Sequence, residues 1–228
     1  MRHIAVRSRS VHSSKPFTAT GLGDRIHLCT VAWVLAPCTL HLTADKWRGG
    51  QFGNKPESWR EVVSLFPEGS VALQVHPVEG LPEDRWLAHL RKQGIDAEPY
   101  WHGDFPGPLE TPVPLDIAPY LKRIPLLTAE AQDVSLPERF CTAQWDSTSR
   151  KRSVPVGERP KFDLPELLVG GEAKDPFRWS LKAIAYAMSK ADFHAGVDSA
   201  FMHMARLFMQ PDRIRLYGDL SSHHARRA

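Results

Sequence analysis

The stretch DFHAGVDSAFMHMARLF, residues 192–208, reads as a strand that ends in an acid and turns at once into a helix. Asp198 and Ser199 are of the residue types that cap helices, and His203, four residues after Ser199, falls on the same helix side as the cap. Packing is one account of this turn: one residue caps, and His203 fills a gap. A turn that faces a ligand is the other account, and the pattern of the surrounding chain decides where such a turn would sit.

Working outward, RFCTAQW (139–145), PELLVGGE (165–172) and RIRLYG (213–218) read as further strands. SLKAIAYAMSKA (180–191) is a helix with Leu181, Ile184, Ala185 and Met188 on one face. The first half shows the same alternation. HIAVRS (3–8), CTLHLT (38–43) and SVALQVHPV (70–78) have the pattern of strands. GLGDRIHLCTVAWVLA (21–36) is a glycine loop opening a helix, with Asp24 at or near its start and Ile26, Thr30, Trp33 and Val34 as its apolar face. ESWREVVSLF (57–66) is a helix with Trp59, Val62, Val63 and Phe66 on one side, and EDRWLAHLRKQG (83–94) is an amphipathic helix closed by Gly94. Repeated strand–helix alternation is the mark of an α/β layer. Residues 103–137 are Pro-rich and weakly periodic, which predicts a crossing between two lobes. The expected organisation is an N-terminal lobe over residues 1–120, a linker over 121–138, a C-terminal lobe over 139–222 and a basic tail over 223–228.

The totals fit this picture. At 228 residues the chain is long enough for one large domain or two small ones. A formal charge of +3 is too small to imply a nucleic-acid partner. Cys29, Cys38 and Cys141 show no metal-binding or paired spacing, as expected of a reducing compartment. VAWVLA (31–36), the longest apolar run, is too short for a membrane span, and no signal-peptide core follows the N-terminus. A cytoplasmic location is the expectation.

In open α/β sheets, ligands bind beyond the carboxyl ends of the strands. Asp24 follows a glycine loop in the first half. Arg150, Lys151 and Arg152 follow the strand FCTAQW, Glu172 follows ELLVGG, and Asp198 follows DFHAGV. Guanidinium and ammonium groups would take phosphates, carboxylates would accept from ribose or sugar hydroxyls, and the helix after Asp198 would turn its positive end to the same place. This set suits an anionic, hydroxyl-rich ligand. For each residue a plainer reading stands beside the functional one: Asp24 as a helix cap, the 149–153 cluster as a solvated loop, and His203 as a packing residue. Met202, Met204, Phe208 and Met209 read as core or interface.

ADFHAGVDSAFMHMA resembles the D-S-G-x-M-H-x-A signature of the heptosyltransferase family of GT-B glycosyltransferases, and GLGDRI resembles that family's N-terminal G-x-G-D loop. The two motifs stand in the family's order. The G-x-G-D entry followed by an alanine- and tryptophan-bearing helix is also similar to that of bacterial fucosyltransferases of nodulation-factor synthesis, another GT-B group. The chain departs from the family in being shorter, in having Ala200 for the signature glycine, and in a polar insertion before GLGD. The resemblance implies an α/β fold of two small Rossmann-like lobes with a central cleft. It implies Asp24 as the base, Lys151 or a neighbouring arginine on the diphosphate and Glu172 on the ribose. Asp198, Ser199 and His203 would hold the donor.

The implied reaction is an inverting, metal-independent transfer from a nucleotide sugar, which is the donor substrate, to a glycan, lipid or peptide acceptor. No cofactor and no metal site are expected. Two other functions compete: a non-catalytic relative that binds a nucleotide or sugar phosphate, and a structural or interaction protein whose cleft is filled.

Overall fold

The computed structural model describes residues 1–8, 22–43, 56–78, 83–102, 126–147, 153–169 and 179–218. The chain divides into two compact units, Met1–Ile124 and Pro125–Ala228. Each unit carries one sheet, and among the described residues every strand pair is parallel.

In the first unit β1 (Arg2–Ser8), α1 (Leu22–Val34), β2 (Cys38–Thr43), α2 (Pro56–Val63), β3 (Val71–His76), α3 (Glu83–Lys92) and β4 (Glu98–His102) build a sheet in the order β3-β2-β1-β4. The helices α1 and α2 pack together against β2 and β3, and α3 packs against β1. The apolar stripe expected on α1 is too narrow. Leu22, Leu28, Cys29, Val31, Ala32 and Leu35 are buried along with Ile26 and Thr30, whereas Trp33 and Val34 are half-buried. Burial extends round most of α1, Arg25 included, so a stripe read at helical spacing marks only part of its inner surface. The α2 helix stops at Val63, short of Phe66. Leu65 and Phe66 donate instead to Val62 and Val63 at 3.1 and 3.0 Å, tighter turns than the α-helix, because Pro67 disfavours helical backbone at the residue before it. At the end of α3, Gly94 takes φ +74°, the Gly94 N–H donates to Arg91 and the Ile95 N–H to Leu90, a Schellman closure that needs glycine at this place.

A row of histidines crosses this sheet. His3 Nδ1 is 2.9 Å from His41 Nε2, and His41 Nδ1 is 3.0 Å from His76 Nε2. Gln93, just past the end of α3, hydrogen-bonds His76 and lies 3.0 Å from His89 Nε2. His76 also meets the Trp86 ring edge-on at 5.1 Å. Strand alternation puts the three sheet histidines on one face because the pairing registers carry parity from β1 to β2 to β3.

In the second unit β5 (Cys141–Gln144), β6 (Glu166–Leu168), α4 (Leu181–Lys190), β7 (Phe193–Gly196), α5 (Ala200–Phe208) and β8 (Ile214–Leu216) give the sheet order β6-β5-β7-β8. Residues 126–138 form neither helix nor strand. They lean on this unit, with Leu127 N–H donating to Leu207 O at 2.7 Å and Glu130 paired to Lys182 at 2.7 Å. One sheet face carries Cys141, Ala143, Trp145, Phe193, Ala195 and Val197, packed with Phe162, Leu164 and Tyr217. The other carries Thr142, Gln144, His194 and Gly196. The predicted face of α4 is buried, as are Met202, Met204, Phe208 and Met209. The three cysteine thiols are free and buried. Burial pushes Cys29 far above the ordinary thiol range, and Cys38 and Cys141 up to about 11. Among the described residues no helix is long and apolar enough to cross a membrane.

Candidate functional site at the carboxyl edge of the second sheet

The chain order of the second sheet reverses between β5 and β7: β6 lies outside β5, and β8 lies outside β7. Connections therefore diverge at the carboxyl ends of β5 and β7 and leave room between them, the place where α/β sheets receive ligands. The Asp198 turn issues from β7 at this point.

The two strand ends are held close. Gln144 stands opposite Gly196 in the register. A Cβ added at Gly196 would lie 2.8 Å from Gln144 O, so glycine is required here for space rather than for its backbone angles. The Val197 N–H donates to that same carbonyl at 3.1 Å, and the Tyr217 N–H donates to Gly196 O at 2.8 Å. Asp198 follows, buried at 5% exposure. Burial pushes the Arg206 guanidinium down from its ordinary value, and the Asp198 charge pushes it back up. Ser199 is the N-cap of α5 by position, but its side chain makes no cap bond. Its hydroxyl donates to Gln144 Oε1 instead. The Gln144 amide Nε2 donates to Asp146 O at 2.8 Å. One side chain thus joins the head of α5 to the end of β5. His203 is half-buried one turn along, its N–H donating to Ser199 O at 3.3 Å.

Beneath this edge, His194 is fully buried, with Nδ1 3.0 Å from Thr142 Oγ1 and Nε2 without a partner among the described residues. Burial lowers its pKa to about 4, so the ring is neutral. On the β5 side, the Ser147 N–H donates to Ser153 Oγ at 2.9 Å, which ties together the two ends of the segment 148–152. Asp146 faces Arg159 at 3.9 Å.

The turn therefore brings Asp198, Ser199 and His203 together. Arg150, Lys151, Arg152 and Glu172 lie outside the described residues. Asp24 stands in the first turn of α1, which opens at Leu22, in the other unit. Gln144 was not foreseen. A long polar side chain at the carboxyl end of a buried strand is the signal that could have marked it. Among the described residues no group of three or more His, Cys, Asp or Glu side chains is placed to hold a metal ion. The histidine row of the first unit is no exception, since His41 turns opposite ring nitrogens to His3 and His76 and the three do not converge.

No protein-family model matches the sequence, and no curated protein matches it either. Solved structures do. A bacterial iron-containing dodecameric glycosyltransferase, TibC of enterotoxigenic E. coli, aligns with 98% of this chain at TM-score 0.54 and 13% identity. The same heptosyltransferase in complex with ADP-D-beta-D-heptose aligns at TM-score 0.53 and 12% identity. The chain spans 59% of the length of TibC. At such low identity the likeness carries the architecture alone: this chain is an α/β protein of two Rossmann-like units with a GT-B-like fold.

Proposed function

We propose that the chain binds a nucleotide-activated sugar at the carboxyl edge of its second sheet and transfers the sugar to an acceptor. The observation that carries this reading is the Asp198–Ser199 turn. It places a buried carboxylate and the start of α5 at a switch point between β5 and β7. Helix N-termini bind phosphate through free N–H groups and the dipole. The fold resembles that of a glycosyltransferase seen with ADP-heptose. In this reading Arg150, Lys151 and Arg152 add positive charge on the diphosphate, Glu172 accepts from the ribose, and Asp198 and His203 hold the donor. Asp24 in the first, acceptor-binding unit takes the proton of the acceptor hydroxyl as it attacks the sugar C1 from the face opposite the leaving group. The configuration at C1 inverts, the C1–O bond to the diphosphate breaks, and the helix end and basic loop stabilise the departing charge without requiring a metal. The acceptor is a glycan, a lipid or a peptide.

The test is a thermal-shift screen against ADP, GDP, UDP and CMP and their sugar conjugates, without added metal. A ligand at 100-fold its Kd stabilises by about 2.7 kcal/mol, a shift of several degrees. One nucleotide class should shift the protein, and Asp198→Ala should abolish the shift. The absence of any shift would remove the reading and leave a protein whose fold serves another role. A second reading is binding without transfer, because the buried Asp198 and the switch point bear on donor binding alone. Asp24→Ala separates the two: in a transferase it abolishes turnover and leaves donor binding intact.

A further inference from the structure

We propose that the histidine row of the first unit is a two-state proton relay: the Gln93 amide, just past α3, holds every ring of the row in one tautomer, and a change of hydrogen bonding at either end turns the tautomers over between His3 on β1 and His89 on α3.

An N–H···N bond between neutral imidazoles needs a proton on one nitrogen and a lone pair on the other, and a neutral ring has one of each. His3 Nδ1 lies 2.9 Å from His41 Nε2, and His41 Nδ1 lies 3.0 Å from His76 Nε2. His41 is thus bonded through both nitrogens, and its two bonds must run in the same direction. The row has only two neutral arrangements, with all its protons on Nδ1 or all on Nε2. Gln93 decides between them. Its Nε2, which can only donate, lies 3.0 Å from His89 Nε2. That leaves the amide oxygen for His76, and the bond between Gln93 and His76 favours the protonated ring, as an acceptor does. His76 Nε2 is taken by His41, so the Nδ1–H of His76 donates to Gln93 Oε1. His41 then donates from Nδ1 to His76, and His3 from Nδ1 to His41. All three sheet rings carry their proton on Nδ1.

The placement suits a relay. His41 is 0% and His76 2% exposed, whereas His3 and His89 are half-buried and Gln93 is exposed. Two dry rings therefore join two ends that solvent reaches. The groups whose charge acts on the dry rings are themselves histidines: His3 and His76 on His41, and His89 on His76. Burial lowers the His41 pKa to about 4, so an excess proton does not rest in the middle. The turnover balances. A proton taken at His3 Nε2 is matched by one released to water from His76 Nδ1. Between them, His3 passes its Nδ1 proton to His41, and His41 passes its own to His76. Each ring keeps one proton, now on Nε2, and the row stays neutral. The Gln93 amide must then rotate, offering Nε2 to His76 and Oε1 to His89. The start of β1 and the end of α3 are coupled through the sheet with no bond of the row lost.

The experiment reads the tautomers directly, by long-range proton–nitrogen NMR of the ring nitrogens in the full chain at about pH 8, where ordinary histidines are neutral. In the wild type, His41 and His76 should carry their protons on Nδ1. Gln93→Lys puts a pure donor at the exposed position past α3 and should move the proton to Nε2 in His76 and in His41, although His41 does not touch residue 93. Gln93→Glu, a pure acceptor, should keep the wild-type tautomers. The His41 tautomer ratio should differ by about tenfold or more between the two variants, since one mismatched link leaves two N–H groups or two lone pairs facing each other in the interior. His76→Phe interrupts the row, and in that background His41 should be the same with Lys or Glu at position 93. If this variant folds poorly, the two exposed substitutions carry the test alone. A wild-type His41 protonated on Nε2 overturns the inference. So does a His41 that is alike in Gln93→Lys and Gln93→Glu, whether or not His76 responds, because rings that merely pack have no reason to follow a side chain they do not meet.

Discussion

Gly196→Val lowers the stability of the second unit by about 3 kcal/mol. The reason is the atom the new side chain meets. A Cβ at this position lies 2.8 Å from Gln144 O, a backbone carbonyl that already accepts from the Val197 N–H. A flexible side chain could swing aside, but a carbonyl in a strand pair moves only if the strands part. Parting them gives up the Val197 bond and carries Gln144 away from Ser199, so donor binding falls together with stability. The measurement is hydrogen exchange at the β5 and β7 amides in urea. Trimming Gln144 to alanine in the valine variant should recover little, because the obstacle is backbone. A large recovery would mean that the side chain is the tight contact and would remove this account of the glycine.

Acidification from pH 7 to pH 5 destabilises each unit by about 2 kcal/mol. In the first unit His41 is buried between His3 and His76, and burial, with the charges of those two rings, lowers its pKa to about 4. In the second, burial alone lowers His194 to about 4. An unfolded histidine titrates near 6.5. Above pH 7 both states are neutral and nothing is gained or lost. Between about 6.5 and 4 the unfolded chain takes up protons that the folded one refuses, so stability falls as pH falls and levels off below about 4. Ordinary carboxylates titrate near 4, below the pH 7 to 5 interval measured, which leaves histidine in charge of it. Urea midpoints at both pH values, with His41→Gln and His194→Gln, check the assignment: each substitution should flatten the pH dependence of its own unit. His76, which burial and His89 also push down, adds to the slope of the first unit, so His41→Gln flattens it in part. Midpoints that do not move between pH 7 and 5 would overturn the account.

Much of the strand–helix order was legible because parallel α/β units write a clear alternation. CTLHLT was read with the bounds of β2, and the strand–turn–helix of residues 192–208 became β7 and α5. The missed strand is instructive. EPYWH, which became β4, contains Pro99, and proline argues against a strand. It is tolerated here because β4 is an edge of its sheet and pairs with β1 alone. The site divides along the same line. Asp198, Ser199 and His203 are near in sequence and were found together. Gln144 joins them only through the pairing of β5 with β7, across 55 residues to Ser199, and no local pattern encodes that register. The histidine row was hidden for the same reason, each ring lying on a different strand.

The three buried thiols supply the protein with reporters of its own motions. Cys29 and Cys38 lie in the first unit and Cys141 in the second, and all are protonated and shielded at neutral pH. An alkylating reagent reacts with thiolate, so it can reach these positions only when the surrounding structure opens. The rate at which Cys141 is modified is therefore a clock for opening of the second unit, read separately from the other two by peptide mass. A ligand seated between β5 and β7 would slow that clock and leave Cys29 and Cys38 to keep their own time.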